Sequence, residues 1–187
     1  IDVDHVADAS TTINNIQTGA GAVTFDQTGA QALGITIAST TNGTITVNNT
    51  SGNLILGDLT AGGSGDLALS TVTSGNITVG ALNAAADDVT LTSAGSIADG
   101  NAGTTNVTAA NLTFSAGSGG VGSGDSLETA ISKLEGTSTG GNIGISNSGG
   151  NLAIGGIGAA TGVSTTTSGS IDVSTAGGSL TISEAVS

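Results

Sequence analysis

Val23-Thr24-Phe25, Ile45-Thr46-Val47, Leu67-Ala68-Leu69, Val89-Thr90-Leu91 and Leu112-Thr113-Phe114 repeat one apolar-x-apolar triplet at steps of 22, 22, 22 and 23 residues. In an extended chain successive side chains face opposite ways, so each triplet reads as a strand that buries its outer residues and exposes the middle one. A unit this short cannot enclose a core by itself. It must stack on its neighbours, which makes the chain a solenoid. Stacking places Val23, Ile45, Leu67, Val89 and Leu112 on one inward ladder and Phe25, Val47, Leu69, Leu91 and Phe114 on a second. Thr24, Thr46, Ala68, Thr90 and Thr113 are left pointing outward.

A second motif interleaves with the first. Gly52-Asn53-Leu54-Ile55-Leu56-Gly57-Asp58-Leu59 returns 23 residues later as Gly75-Asn76-Ile77-Thr78-Val79-Gly80-Ala81-Leu82, and again as Gly150-Asn151-Leu152-Ala153-Ile154-Gly155-Gly156-Ile157. Gly and Asn tolerate the left-handed backbone of a sharp bend, so each Gly-Asn pair marks a corner before a strand. At about 3.3 Å per residue a repeat traces roughly 70 Å, enough for a coil with two or three flat sides. Equivalent strands pair in parallel, and the crossover rule favours a right-handed coil. About eight coils at roughly 4.8 Å each predict a rod about 40 Å long, with an unpaired strand edge at either end.

Composition supports a thin, layered core. The 187 residues include 33 Gly and two Phe but no Cys, Pro, Met, Trp or Tyr, while apolar residues still make up 36%. Those residues are almost all Ala, Val, Ile and Leu at fixed intervals, which is unlike a disordered chain. Fourteen acidic residues against one basic residue, Lys133, give a formal charge of -13. Phosphate binding needs clustered Lys and Arg, so the charge argues against nucleic acid as a partner, and anionic membrane surfaces repel such a chain. Its plain role is solubility, keeping Thr-rich sheet faces from aggregating. No segment has the continuous apolarity of a membrane span, and Ile1-Asp2-Val3-Asp4 reads as part of a longer chain. The absence of Cys suits an exported protein that avoids disulfides.

Residues 1–187 thus read as a single β-solenoid domain with one interruption. Residues 115–140 form a Gly/Ser-rich excursion in which Asp125 and Glu128 resemble a capping box, Leu127, Ile131 and Leu134 follow at helical spacing, and Gly136 is a stop. The expectation is a short helix over about 125–135, its apolar face laid on the solenoid flank or offered to a partner. Strands resume with Ile143/Ile145, Leu152/Ile154, Ile171/Val173 and Leu180/Ile182, and the 19 residues from Leu152 to Ile171 suggest a narrower coil.

The Gly-Asn-apolar strands with Ala-rich and Thr-rich corners, as in Ser74-Gly75-Asn76-Ile77-Thr78-Val79 and Ala86-Asp87-Asp88-Val89-Thr90-Leu91-Thr92-Ser93-Ala94-Gly95-Ser96-Ile97, resemble the filamentous-haemagglutinin type of large bacterial surface exoprotein. The resemblance implies a right-handed parallel β-helix forming the shaft of a secreted or cell-surface adhesin. The secretion domain of that family carries Asn-Pro motifs, and this chain has no Pro. The resemblance is therefore to shaft.

Little in the sequence points to catalysis. Parallel β-helix lyases use basic residues against uronate carboxylates, and one Lys cannot build such a site. A hydrolase needs paired carboxylates, and the adjacent Asp87 and Asp88 sit at an expected corner with alternating orientation. His5 lies in Asp2-x-Asp4-His5-x-x-Asp8, where the three carboxylates suit Ca²⁺ chemically and a frayed acidic terminus is the plainer reading. Gly62-Gly63-Ser64-Gly65-Asp66-Leu67 and Gly119-Gly120-Val121-Gly122-Ser123-Gly124-Asp125 miss the calcium β-roll register by one position each way. No catalytic, cofactor or metal residues are assigned. The candidate binding surface is the outward ladder Thr24, Thr46, Thr90, Thr92 and Thr113, which could order ice or meet a glycan. The expectation is a non-enzymatic stalk, adhesin or filament segment, extracellular or at the cell surface. Its partners would be further copies, flanking parts of a larger chain or a surface glycan.

Overall fold

The structure, a computed structural model, describes residues 1–158 and 161–187. The strands are β1 (Asp2–Val6), β2 (Thr11–Ile13), β3 (Ile16–Thr18), β4 (Val23–Thr28), β5 (Leu33–Thr40), β6 (Ile45–Ser51), β7 (Leu54–Ala61), β8 (Leu67–Ser74), β9 (Ile77–Ser93), β10 (Ile97–Asp99), β11 (Val107–Ala116), β12 (Leu127–Ala130), β13 (Lys133–Ser138), β14 (Ile143–Asn147), β15 (Leu152–Ile154), β16 (Val163–Thr165), β17 (Ile171–Thr175) and β18 (Leu180–Ile182). They form one wound sheet in which the paired strands run parallel. The fold is an all-β parallel β-solenoid.

The coil has three sides. The first stacks β1, β4, β6, β8, the ends of β9 and β11, then β13 and β16. The second stacks β2, the starts of β5, β7 and β9, and β10. The third stacks β3, the ends of β5 and β7, the middle of β9, the start of β11, and β12. In β14 the second and third sides merge, because Ile143 bridges Val121 while Ile145 pairs with Leu127.

The expected ladders run through the first side. Val23, Ile45, Leu67, Val89 and Leu112 are successive partners, as are Phe25, Val47, Leu69, Leu91 and Phe114, and all are buried. A register shift between Ala109 and Asn111 absorbs the extra residue of the 23-residue step. Beside these ladders runs a buried polar file that the triplet reading omitted: Gln27, Asn49, Thr71 and Ser93, then Ala116 and Ser138. Corner carbonyls point inward here and need donors. Asn49 Nδ2 supplies the carbonyls of Gln31, Gly52 and Asn53 at 3.0, 3.2 and 3.1 Å, and Ser93 Oγ supplies that of Ser96 at 2.8 Å.

Corners are also tied from coil to coil. Asn53 Oδ1 accepts from the Asn76 amide at 3.0 Å, Asn76 Oδ1 from Ser96 at 2.9 Å, Asn142 Oδ1 from Ser170 at 3.0 Å, and Asn151 Oδ1 from Ser179 at 2.9 Å. Gly75, before Asn76, has φ 109, and a Cβ there would collide with the Gly52 carbonyl of the coil below. The Gly-Asn pair therefore serves both backbone shape and close coil approach.

No helix is present among the described residues, which corrects the expected one over 125–135. Leu127 and Thr129 are both buried in β12, so the true period is two, and the polar Thr129 concealed it. A corner follows, after which Leu134 enters the first-side ladder opposite Leu112. The helical spacing of Leu127, Ile131 and Leu134 is an accident of strand, corner and strand. A helix here would forfeit inter-coil bonds such as Asn106 N to Glu128 O at 2.7 Å and Ser132 N to Ala110 O at 3.0 Å. The repeat is thus not interrupted at 115–140: Leu134/Gly136 follows Leu112/Phe114 in register. Glycine stands in the doublet because a Cβ at Gly136 would lie 2.6 Å from Phe114 Cγ, the ring having filled that layer. The later coils pair Leu152 with Leu180 and Ile143 with Ile171, so Leu152 and Ile171 lie on different sides and their spacing measures no coil.

Candidate functional site

Strand alternation and parallel register determine the outward surface of the first side. Thr24, Thr46, Ala68, Thr90 and Thr113 form one file of mutually paired residues. Thr92 belongs to the neighbouring file, with Asp26, Asn48, Ser70 and Ser115. Part of that second file bonds to itself: Asn48 Nδ2 donates to Asp26 Oδ1 and Ser70 Oγ to Asn48 Oδ1, each at 2.6 Å. These groups hold neighbouring coils in register, whereas Thr90 and Thr92 stand exposed.

At the N-terminal end Asp4 pairs with Asp26 and Asp2 with Thr24. Stacking brings the carboxylates of Asp2, Asp4 and Asp26 within 4.8 Å of one another. Asp8, which sequence grouped with Asp2 and Asp4, is not in this cluster, and Asp26 enters from one coil away, which linear spacing cannot reveal. His5 Nε2 lies 3.0 Å from Thr11 Oγ1, and its ring is tilted 55° to Phe25 at 6.4 Å. Asp88 is part of a corner ladder: its amide donates to Asp66 Oδ1 at 3.1 Å, and its Oδ1 accepts from Asn111 Nδ2 at 2.7 Å. Those bonds make a coil-to-coil tie.

A second acidic corner escaped the sequence reading. Asp99 Oδ1 accepts from the Asn101 amide at 2.8 Å and from Asn106 Nδ2 at 2.7 Å, and Oδ2 accepts from the Ala102 amide at 2.9 Å. Burial works against the Asp99 carboxylate, but these donors together with the Asp125 side chain hold its pKa below the ordinary value. Glu128 is pushed the other way. Burial raises it, its own amide partly offsets this, and the charges of Asp99 and Asp125 raise it further. Its Oε2 is buried without a hydrogen-bond partner among the described residues.

On the second side, a shallow groove of about 400 Å³ opens where Gly34 and Gly57 lie between Thr12, Thr36 and Ile55. Its lining includes no charged residue. No helix among the described residues is long and apolar enough to cross a membrane.

These features define a parallel β-solenoid, the general β-helix class that many adhesins use, and one consistent with a structural scaffold. Comparison finds no matching family model, no matching curated protein and no matching solved structure.

Proposed function

We propose that this chain is a non-enzymatic shaft segment of an extracellular stalk, adhesin or filament, which holds other parts at a distance by stiffness. One observation carries the reading: a single row of parallel partners joins Val3, Phe25, Val47, Leu69, Leu91, Phe114, Gly136, Val163 and Val186. Every step adds backbone hydrogen bonds and buried aliphatic contacts along one axis, so pulling along that axis must break whole rows together. The rims support a further element, stacking of copies end to end or pairing with adjoining coils. Leu180 is 39% exposed and Ile182 61%, although both stand in register with the buried Leu152 and Ile154. Unpaired edges with inward apolar residues are templates for another strand layer.

Electron microscopy of the isolated chain across a concentration series tests both parts. Rods that lengthen with concentration support end-to-end stacking. Uniform short rods at every concentration remove stacking and leave the shaft, and compact particles without a long axis remove the shaft itself.

A second reading, recognition of ice or a glycan, draws on the in-register file of Thr24, Thr46, Thr90 and Thr113. The bonded Asp26–Asn48–Ser70 file beside it leaves fewer free groups for either ligand. Thermal hysteresis and a glycan array test it, and silence in both would remove it.

A further inference from the structure

Glu135 follows Thr113 in the outward file of the first side, where Thr24, Thr46, Ala68, Thr90 and Thr113 keep some exposure to solvent. Glu135 alone among these is 0% exposed. The cause is an insertion: Leu134 pairs with Ile154 but Gly136 pairs with Val163, so the segment between Ile154 and Val163 leaves the wall and folds over Glu135. Gly155, Gly156, Gly158 and Gly162 all have left-handed φ values of 108, 81, 116 and 73. Such backbone turns amides toward an anion. The Ile157 amide donates to Glu135 Oε1 at 2.6 Å, while those of Gly156 and Gly162 donate to Glu184 Oε1 and Oε2 at 3.1 and 2.7 Å.

Two carboxylates thus meet at one loop, and the donors do not suffice for them. Glu135 Oε2 is buried and has no hydrogen-bond partner among the described residues. Lys133, the sole basic side chain, points its Nζ to the Gly156 carbonyl at 2.8 Å. A buried carboxylate oxygen with no donor is costly, and the cost is removed by a bound positive ion. We propose that a hard divalent cation, Ca²⁺ by its preference for several oxygens, sits against Glu135 Oε2 beneath the 155–162 loop, with Glu184 as the second carboxylate. The exposed Asp2/Asp4/Asp26 cluster differs in having no buried, partnerless oxygen.

The test uses the 187-residue protein with Ca²⁺ alone as the probe, followed by calorimetric titration, thermal unfolding and the ¹³C resonance of the Glu135 carboxyl. The expected result is saturable binding, a melting temperature raised by roughly 5 °C at saturation, and movement of the Glu135 resonance. Glu135→Gln should weaken binding at least about tenfold, the order expected when a charged ligand is lost. Asp4→Asn should leave it unchanged. No binding, or binding lost with Asp4→Asn and kept with Glu135→Gln, overturns the proposal. A Glu135 resonance that ignores Ca²⁺, or that sits at the protonated position at neutral pH, overturns it in the unaltered chain even where a variant fails to fold.

Discussion

At the scale of single residues the interior is less uniform than an aliphatic stack. Asn49 is fully buried, and its amide group satisfies three corner carbonyls. Asn49→Leu would preserve volume but strand those acceptors, and a loss of about 2–4 kcal/mol is expected in chemical denaturation. Gly136 makes the opposite point. Gly136→Val would restore the repeat consensus yet force two side chains into the Phe114 layer, at a cost of about 1–3 kcal/mol. Combining Gly136→Val with Phe114→Val should recover much of that loss, which a double-mutant cycle measures. These positions also show where sequence reading fails. The aliphatic doublets were legible because burial and alternation agree, whereas Asn49, Thr129 and Gly136 are interior positions whose type is set by a neighbouring coil and not by hydrophobicity.

At the scale of elements, the corner that joins β10, β11 and β12 sets two carboxyls against each other. Glu128 has a folded pKa above its unfolded value, so its charged form penalises folding at neutral pH, and the penalty fades as pH falls through the folded pKa. Asp99 has a lowered pKa, so its contribution is present above the unfolded value and is lost as pH falls through the folded one. Glu128→Gln should therefore raise the melting temperature at neutral pH, within roughly 1 kcal/mol, and lose that advantage in acid. Asp99→Asn should lower it at neutral pH and matter little in acid. Thermal melts of both variants across pH check the opposite slopes. Sequence foresaw strands and Gly-Asn corners here, but it read β12 and β13 as a helix. Three apolar residues at helical spacing fit either conformation until the partners in β11 and β14 are known. The acidic clusters were illegible for the same reason, since Asp26 meets Asp4, and Glu128 meets Asp99, only through stacking.

At the scale of the whole molecule, a charge of -13 with one basic residue leaves the rod under self-repulsion. Monovalent salt should raise its melting temperature by screening, and urea midpoints in low and moderate salt measure this. Each coil touches only its neighbours, so hydrogen exchange should be slowest near Leu69 and Leu91 and fastest near Val3 and Ile182. Uniform protection along the axis would contradict that picture.

The 22-residue step has one more consequence. Because the number is even, copying one whole unit at a corner restores the same inside and outside on every strand that follows. A tandem duplication would lengthen the rod by about 4.8 Å while leaving each side's surface and both rims unchanged. Reach is then a quantity that replication errors can adjust in equal increments, with no new fold to be found at any of them.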